Sequence, residues 1–353
     1  MIRLAVVFGG MSSEHDVSCV SAKTVIDALD RTKYEVTCIG ITKDGKWYLV
    51  EDEDTISNRE WEKNEELAKA VISPATDHKI IINSKSDYRE KEIDVVFPVL
   101  HGLYGEDGTI QGLLEMAKLP YVGCGTLSSA ITMDKFFTKV IADSVGVVQT
   151  PYVGVRSYEL SDMEKLVEKI EKERVYPMFV KPSCAGSSIG ITKAHNRDEL
   201  ISGLKLAAQH DSKILVEETI NGREIECAVY GAGDTAIVGG LGEIVAGAEF
   251  YDFDAKYNDE GSLTITNPDI SEEKKAEIKE KALKIYGACD CYGLSRVDFF
   301  LERGSDRVVF NEINAIPGHT SISMYPMLME EAGYPMSQYI DGLIEMAFNR
   351  KKY

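Results

Sequence analysis

Five residues near the start constrain this chain most. Leu4-Ala-Val-Val-Phe8 carries no polar side chain and stops at Gly9-Gly10. Behind the glycines, Val17, Val20, Val25 and Leu29 recur at helical spacing. That is a strand, a glycine turn and a helix. Glu35 to Ile41 reads as a second strand and Ile93 to Val99 as a third, apolar throughout as a buried parallel strand would be. Alternating β and α elements predict a doubly wound, parallel α/β domain over the first 120 or so residues. The polar stretch from Glu51 to Asn64 reads as a loop or an exposed helix.

The pattern changes after Pro120. Ser161-x-x-Glu164 reads as a capping box ahead of Met163, Leu166, Val167 and Ile170 on one helical face. Tyr176 to Lys181 is a strand, followed by the small-residue loop from Pro182 to Gly190. Asn196-x-x-Glu199 caps a helix carrying Leu200, Leu204 and Ala208, and Ile214 to Glu218 is again a strand. Glu224 to Tyr230 and Ile237 to Leu241 read as strands before a long loop, Ala246 to Pro268; loops of that length are usually functional lids or disordered, and its aromatic residues disfavour disorder. Ser271 opens a charged helix with Ile278, Ala282 and Ile285 inward, and a hairpin, Arg296–Leu301 with Val308–Asn314, follows. A length of 353 residues holds two or three domains. The expected boundaries give units 1–123, 124–216 and 217–353.

Composition excludes some classes. With 39 Lys+Arg against 58 Asp+Glu, a net charge of −19 argues against a nucleic-acid partner, though lysines in a cleft can still hold a small phosphorylated ligand. No apolar run approaches the ~20 residues that cross a bilayer. The opening apolar run is too short for a signal-peptide core. Seven scattered cysteines without metal spacing predict reduced thiols and a cytoplasmic compartment.

Side chains alternate along a strand. On the last hairpin Val297, Phe299 and Leu301 share one face, as do Val309, Asn311 and Ile313. The opposite faces hold Arg296 and Asp298, and Phe310, Glu312 and Asn314. Pairing the apolar faces brings Asp298, Glu312 and Asn314 together, a hard-oxygen set suited to Mg²⁺. The plain alternative is a solvated polar face. The loop Ser183 to Gly190, with Lys181 before it, reads as a phosphate cradle or as an ordinary hairpin loop; it lacks the P-loop ending. Gly9-Gly10-Met-Ser12-Ser-Glu14 places Glu14 at a helix N-terminus. His101-Gly-x-Tyr-Gly-Glu-Asp-Gly108 follows the third strand at its C-terminal end, where open α/β sheets bind ligands.

Together these segments resemble the D-alanine–D-alanine ligase family of the ATP-grasp superfamily. The matching residues are Phe8-Gly-Gly-x-Ser-x-Glu14, His101 to Gly112, Met133-Asp-Lys135, Val180-Lys-Pro-x-x-x-Gly-Ser-Ser-x-Gly190, Phe250 to Tyr257, Ser295-Arg-Val-Asp298, Phe310 to Gly318 and Thr320 to Pro326. They occur in family order over nearly the whole chain. The resemblance implies an ATP-grasp fold behind the N-terminal α/β domain, and ATP-driven joining of two D-alanines through an acyl-phosphate for peptidoglycan precursors. It implies that Lys135, Lys181, Ser183, Ser188, Glu217, Glu224 and Phe299 bind ATP. It implies two Mg²⁺ or Mn²⁺ ions on Asp298, Glu312 and Asn314. It further implies Glu14, Ser187, Arg296, Lys256 and Tyr257 as catalytic residues, the last two on a mobile lid. His101, Gly318, Ser323 and Met324 would bind substrate, and the assembly would be a homodimer.

Some positions depart from the family pattern. Ala315 stands where Thr or Ser is usual, His319 where Phe or Met is usual, and Cys184-Ala185 is atypical for the glycine loop. Gly40 to Trp47 and Glu218 to Gly222 are similar to the branch that makes D-alanyl-D-serine. Met324 favours D-alanine, since that branch tends to carry Arg there. D-serine at the second position is the first alternative, and a non-catalytic nucleotide-binding regulator or a ligase for other carboxylates the remoter ones.

Overall fold

The computed structural model describes residues 1–85, 87–187, 189–245 and 263–350. Ser188, Lys256 and Tyr257, and the lid assigned to the last two, lie outside these. Three sheets follow one another along the chain.

The first sheet contains β1 (Ile2–Gly9), β2 (Tyr34–Ile41), β3 (Trp47–Leu49), β4 (Lys69–Ile72), β5 (Lys79–Asn83), β6 (Tyr88–Glu92) and β7 (Val95–Val99), in the order β6-β5-β4-β3-β2-β1-β7. The expected parallel sheet forms part of a larger mixed one. Only β2-β1-β7 is parallel, and β3 to β6 extend it as an antiparallel meander. Both faces of that parallel part are covered, as β1 shows by alternation. Leu4, Val6 and Phe8 pack with α1 (His15–Ala28), while Ala5 and Val7 pack with α2 (Thr109–Met116). The buried face of α1 is Cys19, Ala22, Val25 and Ile26; Val20, expected inward, is exposed. The stretch 51–64 forms two short 3-10 turns, and Trp61 folds inward against Phe8 with ring centroids 5.7 Å apart.

The second sheet follows α3 (Thr126–Met133) and α4 (Lys135–Ser144). It comprises β8 (Tyr152–Arg156), β9 (Met178–Pro182), β10 (Thr192–Ala194) and β11 (Lys213–Glu218), antiparallel in the order β10-β9-β11-β8. One face packs on α5 (Met163–Glu173) and α6 (Arg197–Ala207) through Val153, Met178, Val180 and Val216. By period two, Phe179, Lys181 and Glu217 point the other way. Asn196 caps α6 as expected, whereas α5 is capped by Asp162, one residue after Ser161. The expected boundary at 216/217 cuts β11; the change of sheet falls between Glu218 and Gly222.

The third sheet holds β12 (Gly222–Ala232), β13 (Ile237–Val245), β14 (Leu263–Thr266), β15 (Tyr292–Glu302) and β16 (Val308–Asn314). The order is β14-β13-β12-β15-β16, antiparallel throughout. β14 occupies the end of what the sequence suggests is loop. Beneath lies α7 (Glu272–Ala288), capped by Ser271 and packed through Ile278, Ala282 and Ile285 on Ile225, Cys227, Val297 and Phe299. The opposite face carries Glu224, Glu226, Arg296, Asp298 and Phe300 toward the second sheet. Finally α8 (Met324–Glu331) and α9 (Met336–Asn349) return to the first sheet and share its core.

Candidate active site

The polar faces of the second and third sheets enclose a cavity of about 480 Å³. Lys135, Lys181, Glu217, Glu224 and Glu312 line it, with Phe179, Ile220 and Phe300 as an apolar part. A smaller cavity of about 80 Å³ lies beside it, lined by His101, Gly318, Ser323 and Met324. Glu14, Glu106, Glu226, Arg296 and Asn314 line both, so the two spaces meet there.

Each cation is placed by its element. Asp134 caps α4 by accepting from the backbone N–H of Phe136 and Phe137, so Lys135 begins the helix at the cavity wall. Its Nζ donates to Ala185 O at 3.0 Å and lies 3.3 Å from Glu312 Oε2. Lys181 Nζ is 2.6 Å from Glu217 Oε2, and Lys139, one turn along α4, is 2.7 Å from Glu217 Oε1. Burial alone would raise the Glu217 carboxyl; the two lysines outweigh it and hold it at about 2. Burial pushes the Lys139 ammonium down, whereas Glu217, with Glu312 and Glu224, overcomes burial and raises that of Lys181.

Arg296 meets two carboxylates. Its Nε and Nη2 donate to Asp298 at 2.8 and 2.7 Å, and Nε lies 3.2 Å from Glu226. Asn314 Nδ2 donates to Asp298 Oδ2 at 3.0 Å. Asp298 stands opposite Glu312 in the register, so Asp298, Glu312 and Asn314 do converge. The route differs from simple alternation. The register slips between Asp298 and Phe299, leaving Asn311 bulged, and Phe310 turns into the core with Ile313. Among the described residues no group of three or more His, Cys, Asp or Glu side chains is arranged to hold a metal. Two carboxylates and a carboxamide match a magnesium site that draws its remaining ligands from bound phosphates.

The small-residue loop folds over this junction. Ser187, at φ +46°, donates its hydroxyl to Glu14. Gly186 lets the loop approach Glu14 closely; a Cβ there would sit 2.5 Å from Glu14 Oε2 and push that carboxylate aside. Glu106 accepts from the backbone N–H of Gly102 and Ile316, at 3.0 and 2.9 Å. Burial and then the nearby Glu14 raise it to about 8. At the smaller cavity Ser323 Oγ accepts from Thr320 N at 3.0 Å, and Gly318 leaves room for it. Met324 is buried at the start of α8, its sulfur against Gly242. His101 bonds the Ile316 carbonyl at 3.0 Å and Ser21 Oγ at 3.1 Å.

Two expected nucleotide contacts are corrected. Phe299 is fully buried against Phe310 on the α7 side, and its neighbour Phe300 lines the cavity. Ser183 lies beneath the loop, donating to Asp134 Oδ1 at 2.5 Å. Sequence reasoning also missed Lys139, Glu106, Glu226 and Phe300. Spacing could have found three of them: Lys139 is four residues after Lys135 on a helix, Glu226 two after Glu224, and Phe300 two after Asp298 on strands.

Comparison with known proteins decides the family. Residues 3–124 match the model for the D-ala D-ala ligase N-terminus, and 141–345 that for the D-ala D-ala ligase C-terminus. The chain belongs to the D-alanine–D-alanine ligase family. It is 46 % identical to the D-alanine–D-alanine ligase of Acetivibrio thermocellus, covering 99 % of this chain and 96 % of that protein. Identity to the Thermoanaerobacter sp. X514 D-alanine–D-alanine ligase is 48 %, over 98 % and 96 %. Among solved structures, the VanG D-Ala:D-Ser ligase of Enterococcus faecalis superposes with a TM-score of 0.89 at 40 % identity, covering 98 % of this chain and 99 % of that one. The Coxiella burnetii D-alanine–D-alanine ligase gives 0.84 at 32 %, over 99 % and 94 %. The fold is therefore the ATP-grasp fold of these ligases. No described helix is long and apolar enough to cross a membrane, and all seven cysteines are free thiols.

Proposed function

We propose that this protein joins two D-alanines to D-alanyl-D-alanine at the expense of ATP, for peptidoglycan precursors. The observation that carries this reading is the position of Arg296. It stands where a lysine-lined cavity of nucleotide size meets a small one, with Glu14 beside it. A carboxylate is a poor acyl donor. ATP phosphorylates the first D-alanine, whose ammonium Glu14 takes while Ser187 ties the loop to Glu14. Lys135 and Lys181 neutralise the phosphates, Glu217 and Glu224 lie toward the adenosine, and Phe300 replaces Phe299 in the apolar wall. The amine of the second D-alanine then attacks the acyl-phosphate from the smaller cavity, near His101, Gly318, Ser323 and Met324. Arg296 stabilises the oxyanion of the tetrahedral intermediate, and phosphate leaves. Closure excludes water, which would hydrolyse the acyl-phosphate; the reading assigns that lid to the segment of Lys256 and Tyr257. Asp298, Glu312 and Asn314 would hold Mg²⁺ or Mn²⁺, two ions in this reading. The metal supplies further charge neutralisation for the transferred phosphoryl group. Cytoplasmic location and a homodimer belong to the same proposal.

Purified protein should release phosphate from ATP only with a D-amino acid present, and D-alanine should yield the dipeptide. Release without any D-amino acid, or none with D-alanine, overturns the reading. Behind D-serine as second substrate stand the hydroxyls of Thr264, Thr320 and Ser323 around the smaller cavity and the likeness to the VanG D-Ala:D-Ser ligase. The buried Met324 thioether favours D-alanine, and the ratio of kcat/KM for the two second substrates decides.

A further inference from the structure

Lys139 is a buried lysine that takes no part in the proposed chemistry. Its side chain is 2 % exposed, and it is absent from the walls of both cavities. Its Nζ lies 2.7 Å from Glu217 Oε1, while the other oxygen of that carboxylate is 2.6 Å from Lys181 Nζ. Three elements, α4, β9 and β11, thus bring two ammoniums to one carboxylate. Only Lys181 and Glu217 reach the cavity.

The charge count has a consequence. A one-to-one pair of Lys181 and Glu217 would be neutral and self-satisfied. An anion drawing Lys181 away would leave a buried carboxylate uncompensated, which is the costly outcome for such pairs. With Lys139 on the far side, the cluster carries one net positive charge, and Glu217 stays paired when Lys181 turns to a phosphate. We propose that Lys139 is a positioning residue, which keeps Glu217 compensated so that Lys181 can bind the phosphates of the nucleotide. This rests on the ATP-dependent reading above. Lys139 acts through Glu217 and touches no substrate.

The test measures binding of a non-hydrolysable ATP analogue and of adenosine to the full-length protein, beside steady-state kinetics. Lys139→Met should weaken the analogue about tenfold or more, a difference of roughly 1.4 kcal/mol, and leave adenosine within about twofold. KM for ATP should rise, with kcat at saturating ATP and KM for D-alanine nearly unchanged. Lys139→Arg should restore most of the loss. In a Glu217→Gln background, which leaves no carboxylate to compensate, Lys139→Met should have little further effect. Equal losses for analogue and adenosine, or unchanged analogue binding in folded Lys139→Met, overturn the proposal. If Lys139→Met does not fold, Lys139→Gln is read in the same way. Wild-type protein that binds no ATP analogue overturns the functional reading itself. Wild-type binding without discrimination by the variants sinks only the role of Lys139.

Discussion

Arg296 is held before any substrate arrives, by a two-pronged contact to Asp298 and a second carboxylate on Glu226. Such a preset guanidinium costs no reorganisation when an oxyanion forms beside it. Arg296→Ala should lower kcat by roughly 10²–10³-fold, the range for a single oxyanion donor. Binding of an ATP analogue would show that the variant is folded, and turnover near the wild-type value would remove the residue from the mechanism. Arg296→Lys should fall between, because a single ammonium cannot reproduce the fork. Individual side chains were legible wherever period two held. It places Arg296, Asp298 and Phe300 on one face of β15, whereas the family likeness points to Phe299, against that alternation. Glu217 illustrates the other limit. Its two lysines come from α4 and β9, and no local spacing announces that both will reach it.

At the scale of elements, a run was readable when its burial was one-sided or complete. β7 is apolar throughout, and β1 is apolar from Leu4 to Phe8, because both faces of this parallel part of the sheet are covered. β6 buries none of its five residues and carries four charges, so nothing in its pattern says strand. Its place is fixed by pairing with β5, a tertiary cause. The slip at Asn311 was equally hidden, since a bulge adds one residue without leaving a mark in hydropathy. The stretch 51–64, a loop with two short 3-10 turns, shows what packing adds. Trp61 folds under β2, where Gly40 makes room: a Cβ on Gly40 would lie 2.8 Å from the indole. Gly40→Ala should therefore overpack this contact and destabilise the fold by about 1–3 kcal/mol. The measurement is the urea midpoint followed by tryptophan fluorescence. An unchanged midpoint would mean that Trp61 yields freely and does not fasten the segment.

On the scale of the whole molecule, the first sheet and the last two helices share one core, in which Leu4, Val6 and Phe8 join Tyr325, Tyr339 and Leu343. This closure sets Glu14, from the first sheet's turn, against residues more than three hundred positions later. His319 sits in that joint. Its backbone N–H donates to Ser21 Oγ at 3.1 Å, and its ring lies 5.8 and 6.0 Å from those of Tyr325 and Tyr339. Burial, and then proximity to His101, lowers the imidazole from 6.5 to about 4, so it is neutral in the folded state at pH 7. An unfolded histidine takes up a proton below about 6.5. Between that pH and about 4 the unfolded chain binds more protons, so this group withdraws stability as the solution is acidified. At pH 5 the loss from His319 is about 2 kcal/mol, from 1.36 kcal/mol for each pH unit below 6.5. His319→Phe keeps an aromatic ring among the tyrosines and removes the titration. The variant should unfold near the wild-type temperature at pH 7.5 and gain on the wild type steadily as the pH falls to 5. Parallel melting curves over that range would show that the joint between the chain's two ends does not exclude the proton.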